Sequence, residues 1–293
     1  MPEMFVVNNT KAVDSWREKY FGSSLQQVLR NSLVAEAICQ VDRSNSYYIK
    51  NPYSSQTTVE ITGLTGTFTP AAWTTTNDAL TVGTEFKAGE HVYDFEKVMN
   101  NYDMAMDRMD NQAYAIRAGI DKYVLNLLCE DGTGTYTTPA GGFTVAANVP
   151  VIVSNLISKV AGYDGVSQGW FLVIENTDLP GILQTAVTSG YSYSDRALNN
   201  GLVTNYMGVD IYVVRSGTFE NATYVGTGTT SITNSGHRVF GIKGLATYAV
   251  PRDVTYEEIP VSGKTGRECR SYGLFGFKLW TQVAGLIVDI TLS

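Results

Sequence analysis

One segment, residues 98–129, constrains the fold more than any other. Apolar or aromatic side chains recur at Tyr102, Met106, Met109, Ala113, Ile116, Ile120, Tyr123 and Leu127. The steps alternate between four and three, so these side chains share one face of a helix. Asp103, Asp107, Arg108, Asp110, Arg117 and Lys122 fall between them, and Gly132 and Gly134 end the run. A helix of ~28 residues is roughly 40 Å long, well beyond the usual length in globular domains. One apolar stripe on so long a rod predicts a strut with other elements packed along it.

The flanking segments differ in character. Residues 1–45 read as an arm with short helices. Trp16, Tyr20 and Phe21 are its aromatic anchors, and Ser23-Ser24 caps a helix carrying Leu25, Val28, Leu29 and Leu33. Residues 46–90 are rich in Thr, Ser and Gly. Two β-like stretches, around Thr57–Ile61 and Leu80–Phe86, flank a tip with Gly63, Gly66, Phe68, Pro70 and Trp73. This predicts a long two-stranded excursion, which needs another surface for support because a lone hairpin is marginal in water.

After a Gly/Thr/Ala-rich loop at 133–147 the pattern becomes α/β. Val151, Ile152, Leu156, Ile157 and Val160 predict a helix. Trp170–Ile174 is an unbroken apolar strand of the kind buried on both faces. Asp178–Val187 predicts a short helix with Pro180 in its first turn. A polar, Tyr-rich loop follows at 190–200. Strands are predicted at Val209–Val214, Val239–Ile242, Tyr256–Ile259 and Leu286–Ile290.

Charge and cysteine content exclude several classes. The 293 residues carry 21 Lys and Arg against 28 Asp and Glu, a formal net charge of −7. Binding nucleic acid through its phosphates needs a basic face, and no basic run exists. The charged fraction, 17%, is below the usual quarter, which suits a surface partly buried against neighbours. Cys39, Cys129 and Cys269 are far apart and form no CxxC pair, so reduced thiols are expected rather than a zinc site or disulfides. The N-terminus does not read as a signal peptide, and no apolar run approaches a bilayer span.

Short motifs are present, and their contexts oppose chemistry. Gly165–Gly169 matches GxSxG, with Ser167 at its centre. That motif needs a strand before the serine and a helix after it; here the predicted order is reversed. A serine hydrolase using Ser167, with His237 and Asp178, Asp195 or Asp210 as partners, is therefore a minor alternative. Ser262–Thr265 resembles the end of a phosphate-binding loop, but Glu258 stands where a glycine is required, so a turn between strands is expected. His91 and His237 lack ligand spacing. Glu257 and Glu258 point to opposite faces of a strand and cannot act as a pair. The Met99, Met104, Met106 and Met109 cluster reads as packing.

The order of elements resembles one family: arm, β excursion, very long helix, α/β block with a polar loop, then β strands. Three stretches carry the likeness best: Val92–Lys97 leading to Ile120–Lys122, Asn205–Ser216, and Gly244–Ala246 onward. Together they resemble the major capsid proteins of tailed double-stranded DNA bacteriophages, with the Hong Kong ninety-seven-type fold.

The resemblance implies an α+β fold in five parts. These are an N-terminal arm (1–45), an extended E-loop hairpin (46–90), a P-domain spine helix (91–132), an axial A-domain (133–245) and a return to the P-domain (246–293). It implies a structural virion protein, made in the host cytoplasm, that assembles through pentamers and hexamers into a shell around DNA. It implies no cofactor, no catalytic residue and no membrane or sequence-specific nucleic-acid binding. The implied partners are copies of itself, a separate scaffolding protein, a portal and decoration proteins. Candidate subunit contacts are Trp16, Tyr20 and Phe21 on the arm, Phe68 and Trp73 on the hairpin, and Tyr191, Tyr193 and Arg196 on the axial loop. Some members crosslink through an E-loop lysine; here Lys50 and Lys87 lie at the feet of the excursion and none at its tip, so no crosslink is expected. An encapsulin-like compartment is an alternative with the same fold. A surface adhesin or tail-tube protein is a further one, opposed by the long helix.

Overall fold

The computed structural model describes residues 34–44, 46–54, 66, 75–92, 104–161, 169–188, 205–219, 222–225, 229–232, 236–261, 263 and 265–293. The first elements in chain order are α1 (Ala35–Ile38), β1 (Gln40–Asp42), β2 (Tyr48–Ser54), β3 (Thr75–Thr81), β4 (Thr84–Val92) and α2 (Met104–Asp131). Next come β5 (Gly134–Thr137), α3 (Val149–Ala161), β6 (Trp170–Glu175), α4 (Leu179–Thr188), β7 (Asn205–Tyr206) and β8 (Val209–Val214). The last are β9 (Ala222–Val225), β10 (Thr229–Ile232), β11 (His237–Ile242), β12 (Ala246–Pro260), β13 (Arg267–Leu279) and β14 (Val288–Thr291). Single 3-10 turns span Gly142–Thr144 and Thr281–Leu286.

The fold is α+β. A six-stranded mixed sheet has the order β5-β14-β11-β6-β8-β7, and a four-stranded sheet the order β1-β12-β13-β4. β2 pairs with β3, and β9 with β10, as separate antiparallel hairpins. The strands after Ala246 divide: β12 and β13 build the four-stranded sheet, and β14 joins the six-stranded one between β5 and β11.

Strand periodicity explains the two main cores. In β6, Phe171 and Val173 point into the core shared with α2, and Leu172 and Ile174 into the core under α3 and α4. In β8, Tyr212 and Val214 take the first side, and Ile211 and Val213 the second. An unbroken apolar run is what a strand covered on both faces needs. A smaller core joins Leu80 and Val82 to Ala249 and Trp280.

The long helix is present as expected, and α2 runs for 28 residues. Its buried row is Gln112, Ile116, Ile120, Val124 and Leu128, each four residues from the last, with Asp121, Leu125 and Cys129 beside it. This is wider than the expected stripe, and Tyr123 and Leu127 are only half-buried. The cause is that α2 touches both sheets, β13 and β4 along one stretch and β11 and β14 along another. Phe86, Tyr123, Phe275 and Tyr248 fill the junction, with the Phe86 and Phe275 ring centroids 4.6 Å apart.

Several local expectations are corrected. Leu80–Phe86 is not one strand: β3 ends at Thr81, β4 begins at Thr84, and the two join different sheets. The 133–147 loop contains β5 and a 3-10 turn. Leu286–Ile290 is a 3-10 turn up to Leu286, with the strand starting only at Val288. The helix expected around Val151–Val160 is present as α3, with Val149, Ile152, Val153, Leu156 and Val160 buried and Val151 facing outward. The Thr57–Ile61 strand lies outside the described residues.

α4 meets the 3-10 turn at Gly181 without room for a side chain. A Cβ there would collide with the Phe143 carbonyl oxygen and sit 2.8 Å from that of Thr144. The Thr185 hydroxyl fixes the approach by donating to the Ala146 carbonyl at 2.7 Å. Replacing glycine by alanine normally favours a helix by about 1 kcal/mol. Gly181→Ala is expected to do the reverse and cost about 1–3 kcal/mol through overpacking, as read by denaturant unfolding of the purified chain.

Candidate subunit interface

Among the described residues, Arg238, Glu175 and Asp178 form a buried ionic network. Arg238, at the start of β11, donates from Nε to Asp178 Oδ2 at 2.5 Å and from an Nη to Glu175 Oε2 at 3.2 Å. A further Nη donates to the His237 carbonyl at 2.7 Å, and the guanidinium lies 5.5 Å from the Phe219 ring centroid. The other Glu175 oxygen accepts from the Gly217 and Phe219 amides at 3.1 and 3.4 Å. All three charged side chains are buried. The network ties β6, β11, the N-terminus of α4 and the 215–219 turn together.

Beside it, His237 Nδ1 lies 2.9 Å from both oxygens of Asp289. Asp289 also bonds the Cys129 thiol, whose pKa is pushed well up, first by burial and then by the Asp289 charge. The carboxylate stands between thiol and imidazole, so the histidine does not serve as the cysteine's base, and a buried protonated thiol is a poor nucleophile. Cys39 is likewise pushed up to about 12, chiefly by burial. All three cysteines are free and buried. Among the described residues no His, Cys, Asp and Glu cluster could hold a metal ion, and no helix is long and apolar enough to cross a membrane.

The motif contexts match the reading against chemistry. α3 precedes the Gly165–Gly169 stretch and β6 follows it, the reverse of a nucleophile turn; Ser167 itself lies outside the described residues. The Ser262–Thr265 stretch connects the antiparallel pair β12 and β13. On β12, Glu257 is exposed opposite Arg270, whereas Glu258 is half-buried and accepts from Arg267 and the Tyr256 hydroxyl at 3.1 and 3.0 Å.

The β2–β3 hairpin is anchored through Asp78. Its Oδ2 accepts from the Thr281 amide at 3.0 Å and its hydroxyl at 2.8 Å, with Lys278 Nζ 3.5 Å from the other oxygen. Burial pushes the Asp78 pKa up, but the Thr281 donors and Lys278 outweigh it and hold it below its ordinary value. Beyond this anchor Tyr48, Lys50, Pro52 and Ser54 alternate outward on β2, and Tyr47 precedes them, also exposed. Lys87 is not at the hairpin's foot: it lies on β4 in the four-stranded sheet, 2.8 Å from Glu85.

A cleft of about 500 Å³ opens where α1, α2, β12 and β13 meet. Its arginines are already engaged. Arg117 pairs with Asp253 at 3.5 Å, Arg43 with Glu36 at 3.7 Å, and Arg252 donates to the Tyr272 hydroxyl at 3.1 Å. At the same junction Asp121 of α2 caps α1, accepting from the Val34 and Ala35 amides at 2.9 and 2.5 Å.

Trp16, Tyr20, Phe21, Phe68, Trp73, Tyr191, Tyr193 and Arg196 all lie outside the described residues. In sequence, Phe68 and Trp73 fall between β2 and β3, and the axial-loop residues between α4 and β7. The exposed large hydrophobics among the described residues are Tyr47, Tyr48, Val145, Val151 and Met207. None of them is among the contacts expected from sequence. The Tyr47-Tyr48 pair ahead of an alternating strand is the one signal that could have found them.

No protein-family model matches the sequence, and no curated protein is significantly similar to it. Solved structures do match. The capsid structure of cyanophage P-SCSP1u aligns with TM-score 0.72 at 12% identity, over 92% of this chain and 90% of that one. The mature capsid of bacteriophage PhiM1 aligns with TM-score 0.68 at 12% identity, over 92% and 89%. The capsid of a native GTA particle aligns with TM-score 0.66 at 13% identity, over 92% of each chain. The fold of this chain is that of the tailed-phage major capsid proteins.

Proposed function

We propose that this chain is the subunit of a virion head shell, assembling through pentamers and hexamers into an icosahedral container for packaged double-stranded DNA. One observation carries this reading: the likeness to capsid subunits extends over 92% of the chain rather than over one module. The buried, internally satisfied state of the charged network and the cysteines agrees with a role in architecture rather than catalysis. The net charge of −7 suits a wall that encloses DNA without gripping it.

Under this reading the β2–β3 hairpin is the E-loop, α2 the spine helix, and the six-stranded sheet with α3 and α4 the axial domain. β14 returns to that axial sheet, and β12 and β13 remain with the spine helix. Residues 1–45 are the arm, with α1 and β1 at its end. A scaffolding protein, a portal and decoration proteins are its expected partners.

Purified chain, alone and co-expressed with its genomic neighbours, is expected to form shells or five- and six-membered rings in negative-stain electron microscopy. Double-stranded DNA inside them identifies a phage head, and protein cargo a compartment. A persistent monomer under both conditions overturns the proposal. Trp73→Ala is expected to lower particle yield about tenfold, a loss of about 1.4 kcal/mol per contact, without moving the melting temperature of the unassembled subunit.

A further inference from the structure

We infer that the Asp78 anchor is a latch that sets the angle of the β2–β3 hairpin to the four-stranded sheet, and that the hairpin swings as a unit about its two feet when the latch opens. The inference concerns the subunit by itself and goes beyond the shell reading. The strands of the hairpin pair with each other, from Tyr48 with Thr81 to Ser54 with Thr75, and with no other strand. Two short links tie them to the rest: residues 43–47 after β1, and Val82-Gly83 before β4. The Val82 amide donates to the Tyr47 carbonyl at 2.9 Å, so the two feet turn together. A Cβ at Gly83 would meet no atom within 4 Å, which leaves room for the link to turn.

Contact with the body is graded along β3. At the foot, Leu80 and Val82 are buried against Ala249 and Trp280, with Ile49 packed beside them. Gly276 lets them approach: a Cβ there would lie 3.0 Å from Val82 Cγ2 and 3.2 Å from Leu80 Cδ1. Asp78 comes next, its side chain 13% exposed. Beyond it Thr75, Thr76 and Asn77 are exposed, as are Pro52 and Ser54 on β2. The hairpin therefore leaves the body at Asp78. Among the described residues, no other hairpin side chain makes a hydrogen bond or ion pair to the body.

Leverage decides which contact fixes the angle. A strand rises about 3.4 Å per residue, so Asp78 stands roughly 17 Å along β3 from Gly83. Apolar packing close to a hinge tolerates a small rotation, because it is non-directional; hydrogen bonds weaken steeply once bent or stretched. The latch is directional and charge-assisted. One Asp78 oxygen accepts from both the amide and the hydroxyl of Thr281, and Lys278 faces the other. Thr281 follows Trp280, whose indole nitrogen donates to the Thr247 hydroxyl at 2.9 Å, so the receiving side is itself held in place. The hairpin leads to residues 55–74, Phe68 and Trp73 among them, and its angle decides where the chain carries those side chains.

The test uses the full chain and reads distances within single copies of it. Cys39, Cys129 and Cys269 are buried, so nitroxide labels attach to introduced cysteines. Ser54→Cys with Glu257→Cys spans hairpin and sheet, and Glu130→Cys with Glu257→Cys is a control pair within the body; all of these positions are exposed. Labelled chain is diluted with unlabelled chain and measured by pulsed electron resonance. Asp78→Ala is expected to widen the hairpin-to-sheet distance distribution about twofold and to leave the control pair unchanged. A wild-type width in Asp78→Ala overturns the latch, since packing at the foot then suffices, and so does equal widening of the control pair. Where Asp78→Ala does not fold, Thr281→Val, which removes the hydroxyl donor, decides: a widened distribution supports the latch and a wild-type width overturns it. Because the distances lie inside one chain, failure of the shell reading leaves this result standing.

Discussion

Arg238→Met is expected to destabilise the subunit by about 3–5 kcal/mol, the cost of removing one partner from a buried ionic network. The guanidinium answers two carboxylates at once, Glu175 and Asp178, and each of the three side chains is nearly sealed from water. Without it, two negative charges remain in a site that cannot hydrate them. The replacement has similar bulk, so the loss reports charge rather than a cavity. Arg238→Met combined with Glu175→Gln and Asp178→Asn should recover much of it. The amide oxygen introduced by Glu175→Gln can still accept from the Gly217 and Phe219 amides, which Glu175 serves in the wild type. Equilibrium unfolding in denaturant measures both effects. An Arg238→Met subunit within about 1 kcal/mol of wild type would mean the network is hydrated in solution.

The second large effect depends on pH. Burial raises the Asp121 pKa from 3.8 to about 6; the Val34 and Ala35 amides oppose the shift, and the Glu36 charge adds to it. The folded subunit thus holds this proton more tightly than the unfolded chain does. Its stabilisation is complete below about pH 4 and is lost as pH rises through about 6, worth about 3 kcal/mol in all. Asp121→Asn keeps an oxygen for the two amides and removes the titration. The variant should match wild type near pH 4 and exceed it by up to about 3 kcal/mol at pH 8. A variant less stable than wild type at pH 8 would show that the charged form's hydrogen bonds outweigh its desolvation.

These two sites show where sequence reading succeeds and where it stops. Trp170–Ile174 and Val209–Val214 are legible as strands because burial on both faces leaves an unbroken apolar run. The long helix is legible because 3.6-residue periodicity persists over many turns. The break at Gly83 is not, since Leu80, Val82, Thr84 and Phe86 alternate without interruption while the chain passes from one sheet to another. Asp121 and Arg238 look like ordinary surface charges in the sequence. Only tertiary contacts reveal that one caps a helix 86 residues away and the other binds partners 60 and 63 residues away. Val151 fits the helical period as well as Ile152 does, and only the position of the sheet decides which of them faces it. The proposed contact residues on the arm, the hairpin tip and the axial loop lie outside the described residues.

The sharing of α2 between two sheets has a consequence for biosynthesis. β12 and β13 occupy the middle of one sheet, and β14 joins β5 to β11 in the other. The four-stranded sheet cannot close on the helix until residues 246–279 have left the ribosome, nor the six-stranded one until 288–291 have followed. The nascent chain must therefore carry an uncovered 28-residue helix and unpaired strand edges while the residues between Asp131 and Ala246 are made, a state prone to aggregation. The same order ties both cores to the chain's last part: a polypeptide that stops before Ala246 completes neither of them.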